Sequence, residues 1–330
     1  MSRLLLVLVL ALVACESDID SIMFQQFQKF IKKYNKKYKS MNEFLARFEV
    51  FRRNVMTTFQ DNFSYQTGIT KFSDLTRQEF ARTYLNLNYD AMAVANFNPH
   101  TVKISNAPDS WDWRAYGYVS AVKDQGSCGS CWAFATVANL EGLYFKNTNV
   151  MEIMSEQMLV DCDTYDSACN GGLMEYAFSW IRDNGGIMRQ SEYGYKGYKD
   201  NCYSDASKYV NMRVTGYTKL GSSSSTWSPV DEGEIKEFLY QTGPLAVALN
   251  ADPLQTYSNG IIDKSSSECS SSGINHAVTM VGYGNENGVD YWIVKNSWGI
   301  NWGEGGYFRM KRGSGVCGIN CYITTANVSF

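Results

Sequence analysis

The sequence predicts an α+β protein with a helical segment in front of it. Three observations carry this. Residues 16–106 contain no cysteine and read as helical and basic. Residues from about 119 to 214 hold most of the cysteines and an apolar helical run after Ser130. From about 215 to 320 the pattern turns to short β-branched and aromatic runs bounded by glycine. At 330 residues, with 45% apolar and 14% aromatic side chains, the chain can fill one large core or two smaller ones. A net charge of −3 gives no general case for nucleic-acid binding.

The elements follow in order. Residues 4–13 form an apolar run behind Arg3, too short to span a bilayer and placed as a secretory signal. Cleavage is expected near Ala14 or Cys15, and Leu12-Val13-Ala14-Cys15 also admits a bacterial lipoprotein reading. Either route leads out of the reducing cytosol, so the cysteines can pair. In residues 16–106, Phe44, Phe48, Phe51, Val55 and Phe59 recur at helical spacing, and Glu43 and Arg47 stand as an i,i+4 pair on another face. An ordinary amphipathic helix explains these as well as any special role does. This part holds 13 Lys+Arg against 9 Asp+Glu, a net of +4, whereas residues 107–330 hold 16 against 24, a net of −8. Opposite charge suits a basic segment docked on an acidic domain and loosened as acid protonates carboxylates.

The run Gln125-Gly126-Ser127-Cys128-Gly129-Ser130-Cys131-Trp132 places Cys131 at the expected first turn of a helix. A thiol there feels the positive dipole end and free N–H groups, which favour thiolate. The plain alternative is a buried or disulfide-bonded cysteine. The chain has two histidines, and His276 follows Cys131 by about 145 residues. A lone histidine at a strand start is commonly a satisfied core residue, but thiol chemistry needing a base has no other imidazole in this part. Asn296 can accept from the ring and hold its tautomer, Trp298 can shield that bond, and Gln125 with the Cys131 N–H can form an oxyanion hole. Strands are expected over 276–282, 290–296 and 306–311. A helix is expected over 231–241, with Ile235, Phe238 and Leu239 on one face. Residues 221–228 and 264–273 read as Ser-rich loops. Spacing alone leaves the cysteine connectivity open.

These motifs resemble the papain family of cysteine proteases, in its cathepsin L-like group. The resemblance rests on QGSCGSCW, Cys169-Asn170-Gly171-Gly172, Asn275-His276-Ala277, and Asn296-Ser297-Trp298-Gly299 before Trp302-Gly303, in family order. Glu43, Arg47, Phe51, Asn54 and Asn62 match the propeptide pattern E-x3-R-x3-F-x2-N-x3-I-x3-N, with Thr58 for the isoleucine. Gly68-x-Thr70-x-Phe72-x-Asp74 resembles a second propeptide motif, with Thr70 for an asparagine. Ala107-Pro108 before Asp112-Trp113-Arg114 resembles the start of a mature enzyme.

The resemblance implies a signal peptide over 1–15, an inhibitory propeptide over 16–106 and a peptidase over 107–330. It implies a papain-like two-domain fold, helical on the left and β-barrel-like on the right. It implies the bridges Cys128–Cys169, Cys162–Cys202 and Cys269–Cys317, leaving Cys321 as a buried free thiol or an intermolecular partner. Leu173, Met174, Ala248, Ile274, Ala277 and Tyr322 map to an apolar S2 pocket that takes Leu, Val or Phe and rejects Arg, with Tyr322 shortening it. Gly171 and Gly172 would pair with an extended substrate. One histidine in the mature part favours an endopeptidase over an exopeptidase of cathepsin B type. A silent papain-like binding protein and a transglutaminase-like acyl transferase are the competing classes. No cofactor or metal is implied. The expected partners are protein and peptide substrates and the chain's own propeptide. The mature form is expected to be a monomer, free of membrane and nucleic acid, in a lysosome-like acidic vacuole or secreted. Removal of the propeptide is expected at acidic pH, with cutting near 100–106, where His100 reads as a solvated linker residue. Asn62 and Asn327 are glycosylation acceptors by rule.

Overall fold

A computed structural model describes residues 19–60, 64–87, 102–103, 105–220, 229–264 and 269–330. The expected signal, Asn62, His100, the 221–228 loop and the side chain of Phe59 lie outside the described residues.

The N-terminal part is a small helical head followed by an extended arm. Helix α1 runs through 19–33 and packs across α2 (Met41–Gln60). Phe27, Phe30, Phe51 and Val55 are buried between them, with Phe44 and Phe48 packed alongside. The Phe27 ring lies 5.1–5.4 Å from those of Phe44, Phe48 and Phe51, within aromatic packing range. The Glu43–Arg47 pair is a correction. Arg47 turns to Glu79 (2.8 Å) and to the Asp74 carbonyl, while Glu43 accepts from the Lys39 backbone. The guanidinium thereby ties α2 to the arm rather than decorating one helix.

The arm starts at β1 (Gln66–Thr67) and passes into α3 (Arg77–Tyr84), which opens with a capping box between Thr76 and Glu79. Tyr65, Phe72, Phe80 and Leu85 enter the same core as the sheet side of the following domain.

That domain opens with β2 (Trp111–Asp112). Its helical side is α4 (Cys131–Thr148), α5 (Glu156–Cys162) and α6 (Met174–Asn184). Helix α4 is buried along most of its length because Trp132, Ala133, Val137 and Leu140 leave no polar stripe. The sheet side follows: β3 (Arg213–Leu220), α7 (Glu232–Thr242), β4 (Leu245–Leu249), β5 (Tyr257–Asn259), β6 (Ile261–Ile262), β7 (His276–Glu286), β8 (Val289–Lys295), β9 (Tyr307–Lys311) and β10 (Tyr322–Ser329). The main sheet runs β3-β10-β4-β7-β8-β9-β6, with β2 added beside β7, and β1 of the arm pairs with β5. Among the described residues the two ends of that path do not pair, so the barrel-like side is an open, curled sheet. Helix α7 starts one residue after its expected position because the Asp231 carboxylate caps the Gly233 and Glu234 N–H groups.

All three expected bridges form: Cys128–Cys169, Cys162–Cys202 and Cys269–Cys317. Cys131 and Cys321 are free and buried. Among the described residues no helix is long and apolar enough to cross a membrane.

Candidate active site

Cys131 is the first residue of α4, as its motif predicts. Ser130 precedes it, but its hydroxyl does not cap the helix; it bonds Tyr195 at 2.7 Å. The Cys131 and Trp132 N–H groups at this helix end act on the sulfur, while the Ala133 N–H donates to the Ser130 carbonyl at 2.9 Å. His276 begins β7 and Asn296 follows the end of β8, two adjacent antiparallel strands. His276 Nε2 and Asn296 Oδ1 stand 2.9 Å apart, and the Trp298 ring lies 4.8 Å from the imidazole. The Ala277 N–H reaches the Cys131 sulfur, which places the sulfur against the strand that starts with His276. The His276–Asn296 pair thus stands at the strand against which α4 packs.

Gln125 is stitched to the same place. Its N–H donates to the Ser297 carbonyl (2.9 Å), and the Ser297 hydroxyl donates to Gln125 Oε1 (2.7 Å). This leaves Gln125 Nε2 to donate to the Cys128 carbonyl (2.9 Å) and, at 3.4 Å, to the Tyr84 carbonyl of the arm.

The arm runs through the site. Leu87 forms a parallel bridge with Gly172, and its N–H donates to the Asn275 carbonyl at 3.1 Å. It is buried and joins the cluster that contains Cys131, Leu173, Met174, Ala248, Ile274, Ala277 and Tyr322. Gly172 has to be glycine here: an added Cβ would sit 2.6 Å from the Asp166 carboxyl carbon and 2.7 Å from the Trp132 ring. Gly171 at φ 114° sets the turn before it. Phe72 and Phe80 stack edge-on against Trp298, at 4.9 and 5.4 Å. Lys71 bridges to Asp124, one residue before Gln125, at 2.8 Å.

Burial pushes the Cys131 thiol up to about 11, against the pull of the Ala277 and Trp132 N–H groups. Burial drives His276 down to about 4, opposed by the Asn296 bond and by the Tyr84 carbonyl. Burial thus favours the neutral thiol and the neutral imidazole in the precursor.

Several residues at the site escaped sequence reasoning. Leu87 pairs with Gly172 beside the site, although Leu85-Asn86-Leu87 has the alternation of an extended segment. Ser297 locks Gln125. Beneath Asn296, Lys295 donates to Ser120 (2.9 Å), Ser120 bonds Glu141, and Lys123 pairs with Glu141 (2.8 Å) and Glu156 (2.6 Å). Burial lowers Lys295 to about 8. These charges lie at no motif spacing, so only the fold shows them as one group. Asp163 and Asp166 behind Gly172 are also raised, chiefly by burial.

Comparison with known proteins fits this geometry. The model of the papain family cysteine protease matches residues 107–327, and that of the cathepsin propeptide inhibitor domain matches residues 27–80.

The chain belongs to the papain family of cysteine proteases.

It is similar to cathepsin F of Mus musculus, 40% identical over 94% of this chain and 66% of that protein. Cysteine proteinase 15A of Pisum sativum is 40% identical over 91% of this chain and 85% of that protein. Among solved structures, digestive procathepsin L 3 of Tenebrio molitor aligns with a TM-score of 0.82 at 35% identity, covering 92% of this chain and 98% of that one. The papain-family precursor architecture, with its helical propeptide in front, is thereby shown, and the arm across the cleft is the propeptide.

Proposed function

We propose that this papain-family precursor matures into a cysteine endopeptidase that uses Cys131, His276, Asn296 and Gln125. The observation that carries the reading is the convergence of the Cys131 sulfur, the Ala277 N–H and the His276–Asn296 pair at the head of α4. Once the propeptide leaves, water reaches the site and the burial that holds thiol and imidazole neutral is relieved. The proton then moves from Cys131 to His276, since a helix N-terminus favours the thiolate and an imidazolium beside it favours it further. The thiolate attacks the scissile carbonyl carbon, and Gln125 Nε2 with the Cys131 N–H receives the developing oxyanion. His276 protonates the leaving amine. It next takes a proton from water, which attacks the thioester and frees the acid. Asn296 holds the ring in register throughout.

An apolar P2 preference is supported by Leu87, which joins the pocket cluster in the precursor. Leu is the expected best P2 residue, and Arg meets no carboxylate among the mapped S2 residues.

Release at acidic pH is supported by the opposite charges of the two parts and by carboxylates at their contacts. Asp124 pairs with Lys71 across that boundary, and loss of its charge would weaken the contact. A vesicular or extracellular destination follows from the cathepsin relatives.

Cys131→Ala is expected to abolish peptide hydrolysis by the matured enzyme while leaving the fold intact by circular dichroism. Retained hydrolysis would overturn the assignment. A peptide library scanned from pH 4 to 8 tests the P2 preference, and equal cleavage after Arg and Leu at P2 would refute it.

A further inference from the structure

The junction between propeptide and peptidase is held by two side chains of α7, Glu237 and Gln241. The Ser105 N–H and hydroxyl donate to Glu237 Oε2 at 2.8 and 2.6 Å, and the Ala107 N–H donates to Glu237 Oε1 at 2.9 Å. Both carboxylate oxygens are engaged. Asn106 lies between the two donors with φ 55°, in the left-handed region that asparagine tolerates. That conformation turns successive N–H groups toward one anion. One helical turn on along α7, Gln241 Nε2 donates to the Lys103 carbonyl at 2.6 Å, so the helix cradles the junction over several residues. Ser105 and Asn106 are exposed, whereas Ala107 is buried.

We propose that Glu237 is the binding site for the mature N-terminus. The inference rests on the reading that processing ends at Ala107. The Ala107 nitrogen already sits at hydrogen-bond distance from the carboxylate. Hydrolysis of the Asn106–Ala107 bond adds water across it, leaving a carboxylate on Asn106 and an ammonium on Ala107. The peptide N–H donor becomes a cationic donor at the same place. A contact with one charged partner in the precursor becomes one with both partners charged in the product. The carboxylate is already held below its usual range by the Ser105 hydroxyl, with the Ser105 and Ala107 N–H groups and nearby Lys236 acting in the same sense. Tyr283 on β7 also feels the Glu237 charge. Loss of residues 105 and 106 removes two of the three donors to Glu237, and the ammonium takes their place. The ion pair anchors the first residue of the mature chain on α7, next to β2. Cleavage thus stabilises the product that it forms.

The test compares matured wild type with Glu237→Gln, which keeps the shape and an acceptor oxygen but removes the charge. Both are produced as full precursors and matured in acid, and intact mass defines the first residue. The Ala107 amine is then titrated by competitive acetylation. Pairing with Glu237 raises an α-amino pKa from its ordinary value of about 7.7–8.0, so acetylation at pH 7 is expected to be about three- to tenfold slower in wild type than in E237Q. Melting of the matured forms at pH 5.5 is expected to drop by about 2 °C in E237Q, with the gap closing above pH 9.5 as the amine loses its proton. In precursors kept uncut by Cys131→Ala, E237Q is expected to cost less. A wild-type mass that does not begin at Ala107 overturns the processing boundary and the anchor with it. A chain that begins at Ala107 but whose amine reacts equally fast in both proteins overturns the anchor alone.

Discussion

The head and the arm of the propeptide are built on different principles. Among the described residues the head has a core of its own, in which Phe27, Phe30, Phe51 and Val55 cluster apart from the peptidase core. The arm brings a small aromatic group, Phe72 against Phe80 and Tyr84. Tyr65, Phe72, Phe80 and Leu85 are buried only because the peptidase supplies the other half of the cluster. Its polar groups are likewise satisfied across the boundary, with Thr70 donating to the Gln255 carbonyl (2.6 Å) and Gln255 donating to the Leu75 carbonyl (2.9 Å). The head therefore supports itself, whereas the arm depends on the peptidase for its burial. Arg47 couples them through Glu79 and Asp74, with Asn54 donating to the Ser73 and Leu75 carbonyls at 2.9 and 2.8 Å.

Substitutions can separate the two. The largest effect is expected from Phe72→Ala in the arm. Truncating a buried phenylalanine costs about 3–5 kcal/mol, and here the loss falls on the contact with Trp298. The precursor should become active toward a small peptide at neutral pH, where wild type stays latent. An F72A precursor as latent as wild type would place the inhibition in the head. Phe27→Ala costs a similar amount but within the head, so calorimetry should show an early, separate transition while latency falls much less. Loss of latency equal to that of F72A would dissolve the distinction.

Arg47→Met tests the coupling. The guanidinium bond holds Glu79 down to about 2, so the stability from this pair is complete above the ordinary carboxylate range and is lost only as pH falls through about 2. The pair therefore survives the acid of a vesicle, and acid release must act elsewhere. The partners are partly exposed, so the loss should be about 1 kcal/mol, read as a lower melting temperature at pH 7 that converges with wild type near pH 2. A gap that closed by pH 4.5 would make this pair the acid trigger. The smallest change is expected from Lys71→Met. Its bridge to Asp124 is partly exposed and is worth under about 1 kcal/mol. Latency at pH 7 should shift by less than about fivefold, with salt reproducing the shift in wild type.

The legibility of these parts in the sequence follows their range. The helix of the head announces itself through Phe44, Phe48, Phe51 and Val55, because a 3.6-residue period is local. Cys131 at a helix start, the strands after His276 and before Asn296, and the apolar face of α7 were readable for the same reason, whereas the Asp231 cap came only with the structure. The three bridges came from the family resemblance, since spacing by itself could not choose among connectivities. Arg47 shows where local reading fails. Glu43 sits one turn away in sequence, but the fold brings up Glu79 and the Asp74 carbonyl, and the guanidinium fork takes the partners that α3 and the arm present.

What the sequence determined by itself is the inventory: a helical basic segment, a nucleophile at a helix terminus, one imidazole and the residues that can orient it. Local periodicity, capping and composition are enough for that, because each acts within a few residues. What the tertiary structure decided is the state of those groups. The arm sets Leu87 against Gly172, and burial in the closed fold drives the thiol up and the imidazole down. Lys123, Glu141, Glu156 and Lys295 became one cluster, and the Glu237 carboxylate met the Ala107 nitrogen, only when the chain closed on itself. Charge and burial depend on every atom within several ångströms, and sequence distance carries no record of them.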